Sequence, residues 1–258
     1  MRVYSNRKCD EMKFKTELLE GRLIRRYKRF LADVELISGE KITAHTANTG
    51  KMLGCSEPGS RVWLSKSSNL KRKYPHTWEL VEVNNKNKLV LVGINTQMSN
   101  ELVNELIATN CPPELTNYEN IRREVPYGEQ KSRIDILLEG GKSTNTSSLG
   151  QSGDKCYIEV KNVTLVEGAI GYFPDAITER GVKHLNELAY VVASGQRAVM
   201  FYCVQRDDVE EVRPADFIDS LYAERLRKVS AQGVEVMAYK ANVSCDTVTL
   251  IQQIPVVI

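Results

Sequence analysis

Short alternations of apolar and polar residues fill the first part of the chain. Leu31–Leu36, Lys41–His45, Arg61–Ser65, Thr77–Val83 and Lys88–Val92 each repeat every second residue, the period at which a strand shows one face to a core. Ser38-Gly39 is a turn signal between the first two. About five such strands in succession suit a small closed barrel, since closure leaves no edge unpaired. From Asn95 to Ala108 the period lengthens: Met98, Leu102, Val103, Leu106 and Ile107 share one face of a helix. A boundary between two units therefore falls near Ile94 to Thr96. Beyond it, Ile134–Leu138 and Tyr157–Lys161 read as strands about a polar gap, Ala176–Ser194 and Ala215–Gln232 as helices, and Val234–Tyr239 as a further strand. The unbroken apolar run Ala198–Val204 predicts a strand buried on both faces. The opening residues are polar without periodicity, so the division predicted is a flexible leader over 1–18, a barrel of OB type over 19–95 and a mixed sheet flanked by helices over 96–258, an α+β chain.

Two of these strands carry charge where a buried strand would carry another aliphatic residue. Ile134-Asp135-Ile136 contains an acid, and Ile158-Glu159-Val160-Lys161 an acid and a base. Unpaired charge is costly to bury, so these groups need partners. Glu159 and Lys161, two apart, project from one face, while Ile158 and Val160 project from the other. If residues 139–155 form the loop of a hairpin, Asp135 comes within cross-strand reach of Glu159. Two carboxylates and the Val160 carbonyl, completed by water, form a ligand set suited to Mg²⁺ or Mn²⁺, with Lys161 beside it to orient water or stabilise charge on a phosphate. The competing reading is a salt-bridged strand pair at a sheet edge. Glu105 on the first helix and Glu124 before the first charged strand are further carboxylates that either arrangement could recruit.

Composition moves the picture only locally. The formal charge of +2 is near neutral, so any electrostatic footprint for a polyanion must come from clusters. Arg22, Arg25, Arg26, Lys28 and Arg29 form one cluster, interleaved with Tyr27 and Phe30; Lys71, Arg72 and Lys73 form another beside Tyr74, His76 and Trp78. Cations that follow a phosphate backbone and rings that stack on bases are what single-strand binding on a barrel surface requires. Phe30 and Trp63 are expected instead in the barrel core. Arg133 precedes Asp135 by two positions and could grip a phosphate, or pair with Glu124 or Glu129; Arg180 and His184, at i and i+4, share a face of the following helix. Asp175 is expected to complement that helix's dipole. The 6 cysteines lack zinc spacing and read as reduced thiols of a cytoplasmic protein, and no apolar run is long enough to span a membrane. The low-complexity run 140–153 predicts a mobile hairpin tip; its Gly-Gly-Lys-Ser lacks the earlier glycine and the following helix of a phosphate loop.

The order Asp135, Glu159, Lys161 resembles the motif of the PD-(D/E)xK nucleases, with Ile134 where their motif has proline. A denser set of words surrounds it: Arg25-Arg26-Tyr27-Lys28-Arg29-Phe30, Ala47-Asn48-Thr49-Gly50, Lys71-Arg72-Lys73-Tyr74-Pro75, Val125-Pro126-Tyr127-Gly128 and Gly171-Tyr172-Phe173-Pro174-Asp175. Together, from about Leu19 onward, the chain resembles the sugar fermentation stimulation protein A family. The resemblance implies an OB-like barrel followed by a PD-(D/E)xK nuclease-like domain, and a DNA-binding protein tied by genetics to maltose metabolism. The expectation is a protein that binds DNA without sequence specificity through Arg25, Lys28, Arg29, Lys71, Arg72, Lys73, Arg133 and Arg180. Asp135, Glu159 and Lys161 form its hydrolytic site, with Asp135, Glu159 and Val160 on Mg²⁺ or Mn²⁺. RNA as a second partner and self-association as a homodimer stay open. The alternatives are a regulator that binds DNA without cutting it, or a carbohydrate module in which Trp63 or Trp78 lies exposed as a stacking platform.

Overall fold

A computed structural model describes residues 12–109, 112–116, 118–128, 132–141 and 154–258. Met12–Lys13 (β1) pairs with the last strand of the chain, and Phe14 N donates to Asp246 O (3.1 Å). Met12, Phe14 and Leu18 pack against the core of the second half, which corrects the expected leader over residues 12–18.

The barrel follows: Leu19–Tyr27 (β2), Leu31–Leu36 (β3), Lys41–His45 (β4), Arg61–Lys66 (β5), His76–Asn85 (β6) and Lys88–Gly93 (β7). Its order is β4-β3-β2-β5-β6-β7, closed by a parallel pairing of β4 with β6 at Ala44–His76 and His45–Thr77. The closing set is therefore β2 to β6, with β7 outside the closure. Sequence periodicity missed β2 because its outer positions Arg22 and Arg25 are charged and only Gly21 and Leu23 are fully buried. Gly21 is required there: a Cβ would lie 2.6 Å from Val34 Cγ1 and 2.7 Å from Glu35 O. Leu23, Val34, Val62, Leu64, Trp78 and Val81 fill the interior. Trp63 is 5% exposed and Trp78 0%, so neither is the platform that a carbohydrate module needs. Phe30, expected in the core, is 45% exposed, because it sits in the β2–β3 turn where Lys28 and Arg29 take left-handed backbone (φ 49° and 64°).

Helix α1 (Thr96–Ala108) starts at Asn95, whose side chain accepts from Gln97 N. After a 3₁₀ turn at Pro113–Leu115 come Asn120–Tyr127 (β8), Ser132–Gly141 (β9), Asp154–Val163 (β10), Leu165–Glu167 (β11), Ile170–Phe173 (β12), Glu179–Ala193 (α2), Arg197–Val204 (β13), Glu211–Pro214 (β14), Ser220–Ala231 (α3), Glu235–Val243 (β15) and Thr247–Ile254 (β16). The main sheet runs β1-β16-β15-β13-β10-β9-β8, with β10, β13 and β15 parallel and the outer pairs antiparallel. A small sheet β11-β12-β14 stands beside it. On β13, Val199, Phe201 and Cys203 face α1, while Met200, Tyr202 and Val204 face α2 and α3, which accounts for the unbroken apolar run. The run 140–153 lies outside the described residues from residue 142 onward.

Barrel and sheet share a core. Trp63 and Leu80 of the barrel pack with Leu102, Leu106, Ile158 and Phe201. Gly93 N donates to Gln205 O (2.8 Å), and the buried Gln205 Nε2 donates to Ser99 Oγ (2.9 Å) and Asn95 O (3.2 Å). This fixed seam places one wall of the barrel opposite the charged end of β10.

Candidate functional site

Strands β9 and β10 form the predicted hairpin, paired Cys156–Leu138, Tyr157–Leu137 and Ile158–Ile136. Past Ile158 the main-chain ladder gives way to a side chain: Val160 N donates to Asp135 Oδ2 (2.8 Å). Asn100 of α1 donates to Asp135 Oδ1 (2.8 Å), so the carboxylate is pinned from both sides. Ile158 and Val160 pack toward α1, leaving Glu159 and Lys161 on the face toward α2. There Lys161 Nζ donates to Glu159 Oε1 (2.5 Å), and His184 Nδ1 meets the same oxygen. Arg180 Nε donates to His184 Nε2 (3.3 Å), which makes that nitrogen the acceptor and places the ring proton on Nδ1, facing the carboxylate.

This network satisfies one oxygen of Glu159 and leaves the other bare. Glu159 is 2% exposed, and Oε2 is buried with no hydrogen-bond partner. A buried carboxylate oxygen without a donor is unfavourable unless a cation completes it. Burial, reinforced by the charge of Glu159, pushes the Asp135 carboxyl up to about 6. Burial also opposes ionisation of Glu159, but Lys161 and the bond from His184 outweigh it and hold that carboxyl below its usual value. The two neighbouring carboxyls thus have their proton affinities driven apart, Glu159 ionised and Asp135 the one that titrates nearer neutrality. Among the described residues no group of three or more His, Cys, Asp and Glu side chains converges as a metal cluster. Two carboxylates and the Val160 carbonyl are the oxygen groups here that could hold a hard divalent cation, with water making up the rest of its shell.

Asp135, Glu159, Val160 and Lys161 all line a cleft of about 1010 Å³ between barrel and sheet. Its barrel wall is Arg26, Arg29 and the loop Asn48 to Lys51; its other wall is Tyr172 to Arg180. Arg29 and Arg180 are thus the two expected phosphate-binding cations that reach the cleft. Arg25 instead pairs with Asp33 (2.8 Å) on the outside of the barrel and stacks over Tyr27. Lys28 occupies the exposed turn beside Arg29 and is not among the lining residues. Lys71, Arg72 and Lys73 are exposed on the β5–β6 connection, away from the cleft lining, with Lys73 over the Tyr74 ring. Arg133 is exposed, donates to Glu124 O (3.3 Å) and does not line the cleft; Glu129 lies outside the described residues. Glu105 and Glu124 do not line it either.

Sequence reasoning missed three contributors. Arg26 donates to the carbonyls of Asn48 (3.0 Å), Gly50 (2.8 Å) and Arg29 (2.5 Å), tying the barrel loop into shape. Asp175, expected to serve the α2 dipole, instead accepts from Met52 N (2.7 Å) across the cleft, and Thr178 caps the helix. Asn100 lies on α1, where only its neutral polarity on a half-buried position hints at a role. His184, expected half-buried, is 5% exposed.

Fold and cleft together define a two-part α+β protein, an N-terminal OB barrel joined to a mixed sheet with an acidic and basic floor between them. Residues 24–92 match the SfsA N-terminal OB domain and residues 97–247 the sugar fermentation stimulation protein RE domain. The chain belongs to the sugar fermentation stimulation protein family. A sugar fermentation stimulation protein homolog of Thioalkalivibrio sulfidiphilus is 52% identical over 90% of this chain and 92% of its own length. That of Geobacter metallireducens is 50% identical over 96% of this chain and 100% of its own. The solved structure of Pyrococcus furiosus SfsA in complex with Ca²⁺ shares the fold, with a TM-score of 0.80 at 24% identity over 96% of this chain and 98% of that one.

Proposed function

We propose that this chain binds DNA in the cleft and hydrolyses its backbone with Mg²⁺ or Mn²⁺, with RNA as a second substrate. The observation that carries the reading is the buried Glu159 with its Oε2 unsatisfied, beside the half-buried Asp135 whose carboxyl feels its charge. The solved Pyrococcus furiosus SfsA, which shares this fold, is in complex with Ca²⁺, and that supports a divalent cation as the ligand proposed here. Asp135, Glu159 and the Val160 carbonyl would hold the ion. Once bound, it lowers the pKa of water and neutralises a phosphate. Lys161 Nζ, held against Glu159 Oε1, presents its remaining protons toward the cleft, where they orient an attacking water or meet charge on the phosphoryl oxygens. Arg180, steadied through its Nε by His184, turns its terminal nitrogens to a flanking phosphate.

Incubation of the purified protein with oligonucleotides and Mg²⁺ or Mn²⁺ tests the hydrolytic step. Cleavage is expected, abolished by Asp135→Ala and by Lys161→Ala while binding persists. If no single- or double-stranded DNA or RNA is cut with either ion, DNA binding alone remains.

A further inference from the structure

Beside the cleft, two aromatic rings meet. Tyr172 lines the cleft from β12, and Phe217, 61% exposed, stands edge-on to it at 5.1 Å between centroids. Ile177, also lining the cleft, is 78% exposed. Large apolar side chains left in water beside a charged floor are unfavourable for the free protein and gain when something flat covers them. The wall opposite carries Arg26, whose buried Nε has no partner, and the exposed Arg29.

We infer that the cleft takes an unpaired strand, its phosphates drawn to Arg29 and Arg180 and a base seated on the Tyr172–Phe217 pair. This rests on the reading of the cleft as a nucleic-acid site and narrows it to single-stranded substrate. Charge complementarity selects a polyanion over an apolar protein segment, because the rings share their cleft with cations. A duplex keeps its base faces stacked on one another, so rim rings reach them only after unstacking. A single strand offers every base face at once.

The test is fluorescence anisotropy of a labelled oligonucleotide, single-stranded or annealed to its complement, in EDTA so that hydrolysis does not consume the probe. The single strand is expected to bind more tightly than the duplex. Phe217→Ala, at an exposed position the fold does not use, should weaken it roughly ten-fold while duplex binding stays put. Phe217→Trp should keep the affinity, and its indole should be quenched by the single strand, whereas the protein's own Trp63 and Trp78 are buried. Equal affinity for both probes, an unaffected Phe217→Ala variant or an unquenched indole each overturns the inference. Ring-dependent binding without any metal-dependent cleavage would sink hydrolysis and leave this inference standing. Cleavage indifferent to Phe217 would do the reverse.

Discussion

Asp135 is held in a place where its charge is unwelcome. Its carboxyl, ordinarily near 3.8, is pushed up to about 6, so the folded protein retains the proton through a range in which the unfolded chain has lost it. Stability contributed by the protonated form is therefore full below about pH 4 and lost as pH rises through about 6. Asp135→Asn removes that loss, and in EDTA the variant should exceed the wild type by on the order of 2 kcal/mol at neutral pH and match it near pH 4. Urea denaturation at both pH values checks this; a variant less stable at neutral pH would show that Asp135 is held by its donors alone. A second buried charge behaves oppositely. Arg206 is paired with Asp208 (2.6 and 2.7 Å) and donates to Thr164 O (2.8 Å). Arg206→Ala strands that acid, which also accepts from Asn85 (2.6 Å), and should cost roughly 3–5 kcal/mol in the same assay. A loss under about 1 kcal/mol would mean the Asp208 site is wetter than its burial indicates.

At the scale of elements, the legible parts were those with one clear period. Met98, Leu102 and Leu106 announced α1, and the two charged strands announced a hairpin whose register brings Asp135 to Glu159. β2 stayed hidden because a barrel strand with a solvated outer face reads as a basic cluster, and the same cluster then mixed residues of different fates. Arg26 turns inward to bind carbonyls and Arg29 lines the cleft, while Arg25 ends in a surface ion pair. The contribution of His184 was beyond reach of periodicity, since its partner lies 25 positions away on another element. Caps are likewise visible only in place: Asp219 accepts from Tyr222 N (3.0 Å) to start α3 and from Thr178 N (2.8 Å) to hold the entry to α2. Asp219→Ala should therefore cost about 2 kcal/mol or more, above a simple cap, because it frees two donors, one buried and one half-buried. Thermal unfolding reads this directly, and a shift no larger than that of a surface substitution would contradict it.

Over the whole molecule, the shared core decides how the two parts behave. Trp63 and Trp78 both lie in the barrel, whereas α1, α2 and α3 all belong to the second part. Tryptophan fluorescence and helical circular dichroism thus report different halves, and the Trp63–Leu80 contact with α1 and the Gly93–Gln205 seam predict coincident urea transitions. Two separated midpoints would mean that the halves fold alone and that the cleft between them can open. Within that rigid frame the floor of the cleft is the decisive feature, because the proposed hydrolysis rests on a cation between its two carboxylates. Electron paramagnetic resonance titration of Mn²⁺ against the full chain measures this most directly. One bound ion per chain is predicted for the wild type, lost in Asp135→Asn and in Glu159→Gln; Mn²⁺ binding that survives both substitutions, or is absent from the wild type, would contradict the account.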